Sequence, residues 1–127
     1  MKFLGIDYGT KRIGIALSDE RGTLAFPKII LENNASILDK IKEIIQEEAV
    51  SNIVIGESLD FKGRPNTLAA GIESFIRELE QFGVPVLKEK EFLTSVEARK
   101  FHGPKSRADA SAAALILQRY LDRKNLI

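Results

Sequence analysis

Phe3-Leu4-Gly5-Ile6-Asp7-Tyr8-Gly9-Thr10-Lys11-Arg12-Ile13-Gly14-Ile15-Ala16-Leu17-Ser18 decides how this chain folds. The short apolar run from Lys2 to Asp7 ends in an acid. Beyond Tyr8-Gly9-Thr10-Lys11, the residues Ile13, Ile15 and Leu17 alternate with Gly14, Ala16 and Ser18. A period of two sends successive side chains to opposite faces of a strand, so the stretch reads as strand, turn, strand. Asp19-Glu20-Arg21-Gly22 is a polar turn with a terminal glycine, and Thr23 to Leu31 resumes in β-branched and apolar residues. Pro27 has no amide hydrogen to give to a ladder, which predicts an edge strand or a bulge at that point.

Past Asn33-Asn34, the residues Ile37, Leu38, Ile41, Ile44 and Ile45 recur at helical spacing. Ser36 is placed to cap that helix, with Asp39 three residues on. Ile53-Val54-Ile55-Gly56 is a compact β-branched run, the pattern of a strand covered on both faces. A loop through Lys62-Gly63-Arg64-Pro65 follows, and Leu68, Ile72, Phe75, Ile76 and Leu79 mark a second amphipathic helix stopped by Gly83. Val84 to Leu87 predicts a fifth strand that leads into Lys88-Glu89-Lys90-Glu91. A short helix is expected from Thr94 to Lys100, a break at His102-Gly103-Pro104, and a last helix, rich in alanine and leucine, from Ser106 to about Asp122. Three strands joined by tight turns, followed by alternating helices and strands, imply an α/β fold. Its mixed five-stranded sheet would be antiparallel in one half and parallel in the other, with helices on its faces.

At 127 residues the chain is of the size of one domain and can bury a core without staples, so residues 1–127 are expected to form a single domain. There is no cysteine, which excludes disulfides, thiolate nucleophiles and cysteine zinc sites and suits an intracellular protein. The opening residues are too few for a signal-peptide apolar region and no stretch is long enough to span a membrane, so a cytoplasmic location is the expectation. A formal net charge of +1 conceals an uneven distribution. Residues 35–87 carry 5 Lys and Arg against 9 Asp and Glu, and residues 88–127 carry 9 against 5. The C-terminal third is therefore the anion-facing part.

Asp7 ends the first strand directly before a tight turn whose backbone can approach an anion, which makes Gly9, Thr10, Lys11 and Arg12 candidate substrate contacts. Taken alone, Asp-x-Gly-Thr has three readings. It can be an acid holding Mg²⁺ in a nuclease, the phosphate-binding hairpin of the actin, Hsp70 and sugar-kinase group, or a turn aspartate bonding its own loop. Magnesium and manganese prefer oxygen ligands, and a pair of them needs several carboxylates from separate segments. Glu91, just past the predicted fifth strand, and Asp109, near the start of the last helix, are the acids placed to converge on Asp7. Two ions roughly 4 Å apart would activate the attacking water and stabilise the leaving oxygen of a phosphodiester. Against that, Glu91 can be a solvated charge in its Lys-Glu run, and Asp109 can serve only the helix dipole. Asp109 also shares a helical face with Ala112, Ala113 and Ile116, where an acid needs a partner. The stretch from Arg99 to Arg107 interleaves cations with Phe101; Lys100, Lys105 and Arg107 in it can engage phosphates, or it can be a solvated surface loop. His102 suits a phosphate or surface role better than that of a general base.

Taken in order, Gly5-Ile6-Asp7-Tyr8-Gly9-Thr10-Lys11-Arg12-Ile13-Gly14, Ile53-Val54-Ile55-Gly56, Glu91-Phe92-Leu93-Thr94-Ser95-Val96-Glu97-Ala98 and Asp109-Ala110-Ser111-Ala112-Ala113-Ala114-Leu115-Ile116-Leu117 resemble the YqgF family. The family is also called RuvX, and contains pre-16S rRNA nucleases and Holliday-junction-resolvase-like proteins. The resemblance covers nearly the whole chain. It implies a ribonuclease-H-like fold and a catalytic, metal-binding set of Asp7, Glu91 and Asp109 with Mg²⁺ or Mn²⁺, and it adds Thr94 to the substrate contacts. It further implies maturation of the 5′ end of small-subunit ribosomal RNA, with precursor ribosomal RNA or a ribosomal particle as partner, in a monomer or weak homodimer.

Three departures stand out. The chain has Gly56-Glu57-Ser58 where the family usually reads Gly-Leu-Pro, and Lys90-Glu91-Phe92 where it reads Asp-Glu-Arg. The segment between Glu97 and Asp109 is shorter than usual. Glu57 thereby adds an acid at a strand tip and is a candidate further ligand. Competing readings are a resolvase cutting four-way DNA junctions and a nucleic-acid-binding module whose site has decayed. A nucleotide-dependent kinase or ATPase is disfavoured because such proteins enclose the nucleotide between two related domains.

Overall fold

The computed structural model describes residues 1–59, 69–92 and 109–126. Five strands form one sheet: β1 (Phe3–Tyr8), β2 (Arg12–Ser18), β3 (Ala25–Glu32), β4 (Asn52–Leu59) and β5 (Val86–Phe92). Three helices are described: α1 (Ile37–Glu47), α2 (Ala69–Glu80) and α3 (Ala110–Lys124). The strand order is β3-β2-β1-β4-β5. β1 pairs antiparallel with β2 and parallel with β4, so it lies at the centre, where the antiparallel and parallel halves meet. This is the mixed sheet expected from three strands on tight turns followed by helical crossovers.

Alternation along the strands divides the core in two. Leu4, Ile6, Ile13, Ile15, Ile53 and Ile55 face α1 and α2 and pack with Ile41, Ile72, Phe75 and Leu79. Phe3, Ala16 and Val54 face the other way and pack under Ala113, Ile116, Leu117 and Leu121 of α3. Ile53, Val54 and Ile55 are wholly buried, as a strand covered on both faces must be. Under α3 the sheet also presents a position without a side chain, Gly5. A Cβ on Gly5 would lie 2.8 Å from the Leu117 Cβ and 2.9 Å from the Ala113 carbonyl oxygen, so α3 lies directly on the backbone of β1.

Both edges of the sheet are guarded. β3 carries Pro27, and its register against β2 shifts between Ile15 and Ala16, so the edge strand and the bulge predicted from that proline are both present. β5 begins two residues later than the apolar run Val84 to Leu87 predicts and continues through the charged run to Phe92. Gly83, with φ +78°, turns the chain after α2 and delays the strand, while parallel pairing with β4 carries it onward from Ile53↔Val86 to Leu59↔Phe92. Charged residues are tolerated because β5 is an edge. Lys88 and Lys90 are exposed, and the buried Glu89 carboxylate accepts two bonds from the Arg123 guanidinium of α3, one of 2.8 Å from Nη1 and one from Nη2.

Two helix starts differ from expectation. Ser36 occupies the N-cap position of α1 but makes no capping bond. Its hydroxyl and amide both donate to Asn34 Oδ1, at 2.8 and 3.0 Å, so Asn34 organises that turn. α3 begins at Ala110 with Asp109 as its cap, whereas the composition predicted a start at Ser106. Residues 106–108 and the short helix predicted from Thr94 to Lys100 lie outside the described residues. Among the described residues, no helix is long and apolar enough to cross a membrane.

Candidate active site

Asp7 stands one residue from the end of the central strand, on the α3 side by its alternation with Phe3 and Gly5. It is 3% exposed. Directly across the antiparallel pair stands Gly14. The space that a side chain at Gly14 would fill is taken by the backbone at the start of α3, and this brings Asp109 over the sheet. The Asp109 amide donates to Asp7 Oδ2 at 3.3 Å, joining residues 102 apart in sequence. Asp109 itself is extended, with φ −138° and ψ 167°, and its Oδ1 accepts the Ala112 amide at 2.7 Å. Asp109 is thus an N-cap, one position ahead of the helical face that the sequence pattern assigned it. Ala112, Ala113 and Ile116 are buried beneath it as that pattern predicts. The capping bond, made through one carboxylate oxygen of Asp109, satisfies one of the orphan amides of α3. The positive end of the α3 dipole lies at the same spot.

The turn between β1 and β2 is the second part of the site. Gly9 is buried, whereas Thr10, Lys11 and Arg12 are exposed, which leaves two cations in solvent beside Asp7. This turn is tied down from outside. Asn33, just past β3, donates its side-chain amide to the Gly9 carbonyl at 2.9 Å and its backbone amide to the Lys11 carbonyl at 2.9 Å. In sequence, Asn33 marks only a boundary between strand and helix. Its side-chain amide suits it to bond a neighbouring backbone, but nothing local says that the backbone is that of Gly9, 24 residues away.

Glu91 lies inside β5, not past its end, at the position that pairs with Ser58. Leu87, Glu89 and Glu91 form one alternating set, and Glu89 of that set bonds α3. The side chain of Glu91, together with Thr94, Lys100, His102, Lys105 and Arg107, lies outside the described residues. Among the described residues no group of three or more His, Asp or Glu is placed to hold a metal ion. Asp7 and Asp109 are the acids that the structure brings together.

Glu57 belongs to the other face. It follows Ile53 and Ile55 in alternation and adds to the negative field around Lys88, whose ammonium bonds Glu73 of α2. The Glu73 bond, and then the Glu57 and Glu80 charges, hold the Lys88 ammonium above its usual range. Its place in the register sets Glu57 opposite Lys90 and away from Asp7, which removes the argument for it as a further ligand.

The sheet order, with an acid at the tip of its central strand, defines a ribonuclease-H-like protein. The same fold occurs in T. thermophilus RuvC in complex with a Holliday junction substrate, at a TM-score of 0.57 and 17% identity over 98% of this chain and 97% of that one. It occurs again in the Holliday junction resolvase of fowlpox virus, at a TM-score of 0.55 and 12% identity over 97% and 99% of the two chains. Sequence takes the assignment further. This chain belongs to the RuvX family, whose model, described as Holliday junction resolvase, matches residues 1–123. Among its relatives is a protein of Lawsonia intracellularis named "Putative pre-16S rRNA nuclease", 36% identical over 97% of this chain and 94% of its own length. Proteins of the same name in Thermoanaerobacter pseudethanolicus and Oenococcus oeni are 37% and 38% identical, the first over 96% of both chains and the second over 98% of this chain and 96% of its own.

Proposed function

We propose that residues 1–127 form a single metal-dependent endonuclease domain that hydrolyses phosphodiester bonds in the 5′-end maturation of precursor 16S ribosomal RNA. The observation that carries this reading is the bond from the Asp109 amide to Asp7 Oδ2. It joins two acids from opposite ends of the chain at one rim of the sheet. The relatives' shared name supplies the substrate class.

Oxygen-only donors suit a hard cation such as Mg²⁺ or Mn²⁺. Asp7 and Asp109 would hold it from the described part of the site, and Glu91, which pairs with Ser58 near the end of β5, is the third ligand in this reading. Bound there, such an ion supplies charge neutralisation at the scissile phosphate and a nucleophilic water at neutral pH. The chain's own groups do the rest. Burial and the Asp109 amide hold the Asp7 carboxylate in one orientation, so little reorganisation accompanies the reaction. Gly9 and Thr10 let the backbone of the turn approach a phosphate, while Lys11 and Arg12 attract the anionic strand in solvent. Thr94, Lys100, Lys105 and Arg107 are the further substrate contacts, and the excess of cations in the C-terminal third supports that role.

A second reading rests on the family model and on the junction-bound neighbour: the same chemistry applied to a four-way DNA junction. Purified protein incubated with precursor ribosomal RNA and with a four-way junction, each with Mn²⁺, Mg²⁺ or chelator, separates the two. Cleavage of the RNA alone, dependent on added cation and abolished in Asp7→Asn, is the expected result. Chelator-resistant cleavage, or an Asp7→Asn variant as fast as wild type, removes the assignment.

A further inference from the structure

We propose that Gly14 is a positioning residue of the site, kept free of a side chain so that α3 can bring Asp109 onto Asp7. This inference rests on the nuclease reading above and deepens it.

A Cβ built on Gly14 would lie 1.9 Å from the Asp109 carbonyl oxygen, 2.3 Å from its carbonyl carbon and 2.9 Å from the Ala110 nitrogen. All three are backbone atoms, so no side chain can swing aside to make room. Real Cβ contacts stay beyond 3.0 Å, so any L side chain at this position must push the start of α3 off the sheet by roughly 1 Å or more. Asp109 rides on that segment. Its amide already reaches Asp7 Oδ2 at 3.3 Å, near the long end for such a bond, and a further ångström breaks it. The Asp109 carboxylate, held to α3 by the Ala112 amide, moves with the helix.

The backbone of Gly14 does not itself call for glycine. Among the described residues, the glycines with positive φ are Gly22 and Gly83, and Gly14 is paired strand in regular register with Asp7 and Ile30. In such a strand, glycine is the weaker choice and a β-branched residue the better one. The reason for glycine is thus the tertiary contact, and the contact is with the residue that carries a candidate metal ligand.

Gly5 provides the internal control. Its Cβ would meet Leu117 and Ala113 at 2.8 and 2.9 Å, in the same helix-sheet interface but further along α3 from its start. A side chain at Gly5 therefore stresses the packing of α3 without striking Asp109.

The experiment compares wild type, Gly14→Ala and Gly5→Ala by thermal midpoint, Mn²⁺ affinity by titration calorimetry, cleavage of precursor ribosomal RNA, and hydrogen exchange at the Asp109 and Ala112 amides. In Gly14→Ala, cleavage is expected to fall by about 10²-fold, the order that a 1 Å misplacement costs. Mn²⁺ binding should weaken by at least about tenfold, as when the groups that orient a metal ligand are disturbed, and protection of the Asp109 amide should be lost. Gly5→Ala should keep cleavage and Mn²⁺ affinity within about threefold of wild type at an equal or greater loss of thermal midpoint. Equal behaviour of the two variants, or a Gly14→Ala protein with wild-type Mn²⁺ affinity and Asp109 protection, overturns the proposal. So does a Gly14→Ala protein that does not fold where Gly5→Ala does, since Gly14 would then be needed for the fold itself. A wild type that neither binds Mn²⁺ nor cuts, yet shows Asp109 protection lost only in Gly14→Ala, overturns the nuclease reading and leaves the positioning of α3 by Gly14 intact.

Discussion

Replacing Asp109 by asparagine and by alanine separates its two duties, because one is structural and satisfied by either an acid or an amide, and the other requires charge. As an N-cap, Asp109 accepts the Ala112 amide at 2.7 Å through Oδ1. Asparagine caps about as well as aspartate, so Asp109→Asn changes helix stability by only a few tenths of a kcal/mol. Alanine accepts nothing and leaves the Ala112 amide without that bond, at a cost of about 1 kcal/mol. For a chain of this length that corresponds to a fall in thermal midpoint of roughly 3 to 5 °C. As a metal ligand, Asp109 loses its charge in both variants. Both should therefore lose cleavage by at least about 10²-fold, equivalent to about 2.7 kcal/mol of transition-state stabilisation. The assay is differential scanning fluorimetry beside single-turnover cleavage of precursor ribosomal RNA in saturating Mn²⁺. The expected pattern is a near-native, inactive asparagine variant and a destabilised, inactive alanine variant. If Asp109→Asn cuts within about threefold of wild type while Asp109→Ala slows only as its folded fraction falls, Asp109 is a cap and nothing more, and the carboxylate site is wrongly drawn.

Other outcomes follow from contacts elsewhere. Asn33→Ala removes the side-chain bond to the Gly9 carbonyl but keeps the backbone bond to Lys11; it should cost about 1 kcal/mol in urea unfolding and raise KM several-fold with kcat little changed. An unchanged KM would show that the turn does not meet substrate. Arg123→Met leaves the buried Glu89 carboxylate without its guanidinium and should lower the thermal midpoint, by less than loss of a fully buried pair would because the Arg123 side chain is 61% exposed. Adding Glu89→Gln should recover part of that loss, and a double variant no better than the single one would argue against the pairing. At the β2–β3 turn, bonds from the Thr23 hydroxyl and amide hold the Asp19 carboxyl down from 3.8 to about 2. Since the folded value is the lower one, this contribution is complete above about pH 4 and disappears as pH falls toward 2. The thermal-midpoint gap between wild type and Asp19→Ala should close over that range, and a gap independent of pH would assign the loss to something other than the carboxylate.

The parts of this fold that could be read in advance are those in which burial leaves a local period. Ile13, Ile15 and Leu17 against Gly14 and Ala16 announced a strand with two different faces. Ile37 to Ile45 announced α1, and the β-branched run at Ile53 announced a strand covered on both sides. Local pattern is least informative at the ends of elements. The apolar run at Val84 placed β5 too early and stopped it too soon, because the pairing that carries it to Phe92 comes from β4 and not from its own residues. Ser36 looked like a cap, but Asn34 captured its hydroxyl. Glu57 looked available to the site until the alternation of β4 set it with Lys88 on the opposite face.

Sequence alone determined the class of fold and the acids worth testing, since periodicity and residue order along one chain report which faces are buried and which elements follow one another. Only the tertiary structure decided that Asp109 meets Asp7, that it does so through its backbone amide above Gly14, and that Asn33 ties down the neighbouring turn. Each of these joins residues distant along the chain, and no local pattern encodes where a helix start comes to rest on a sheet. That depends on how closely two elements can pack, which here is governed by the atoms missing from two glycines.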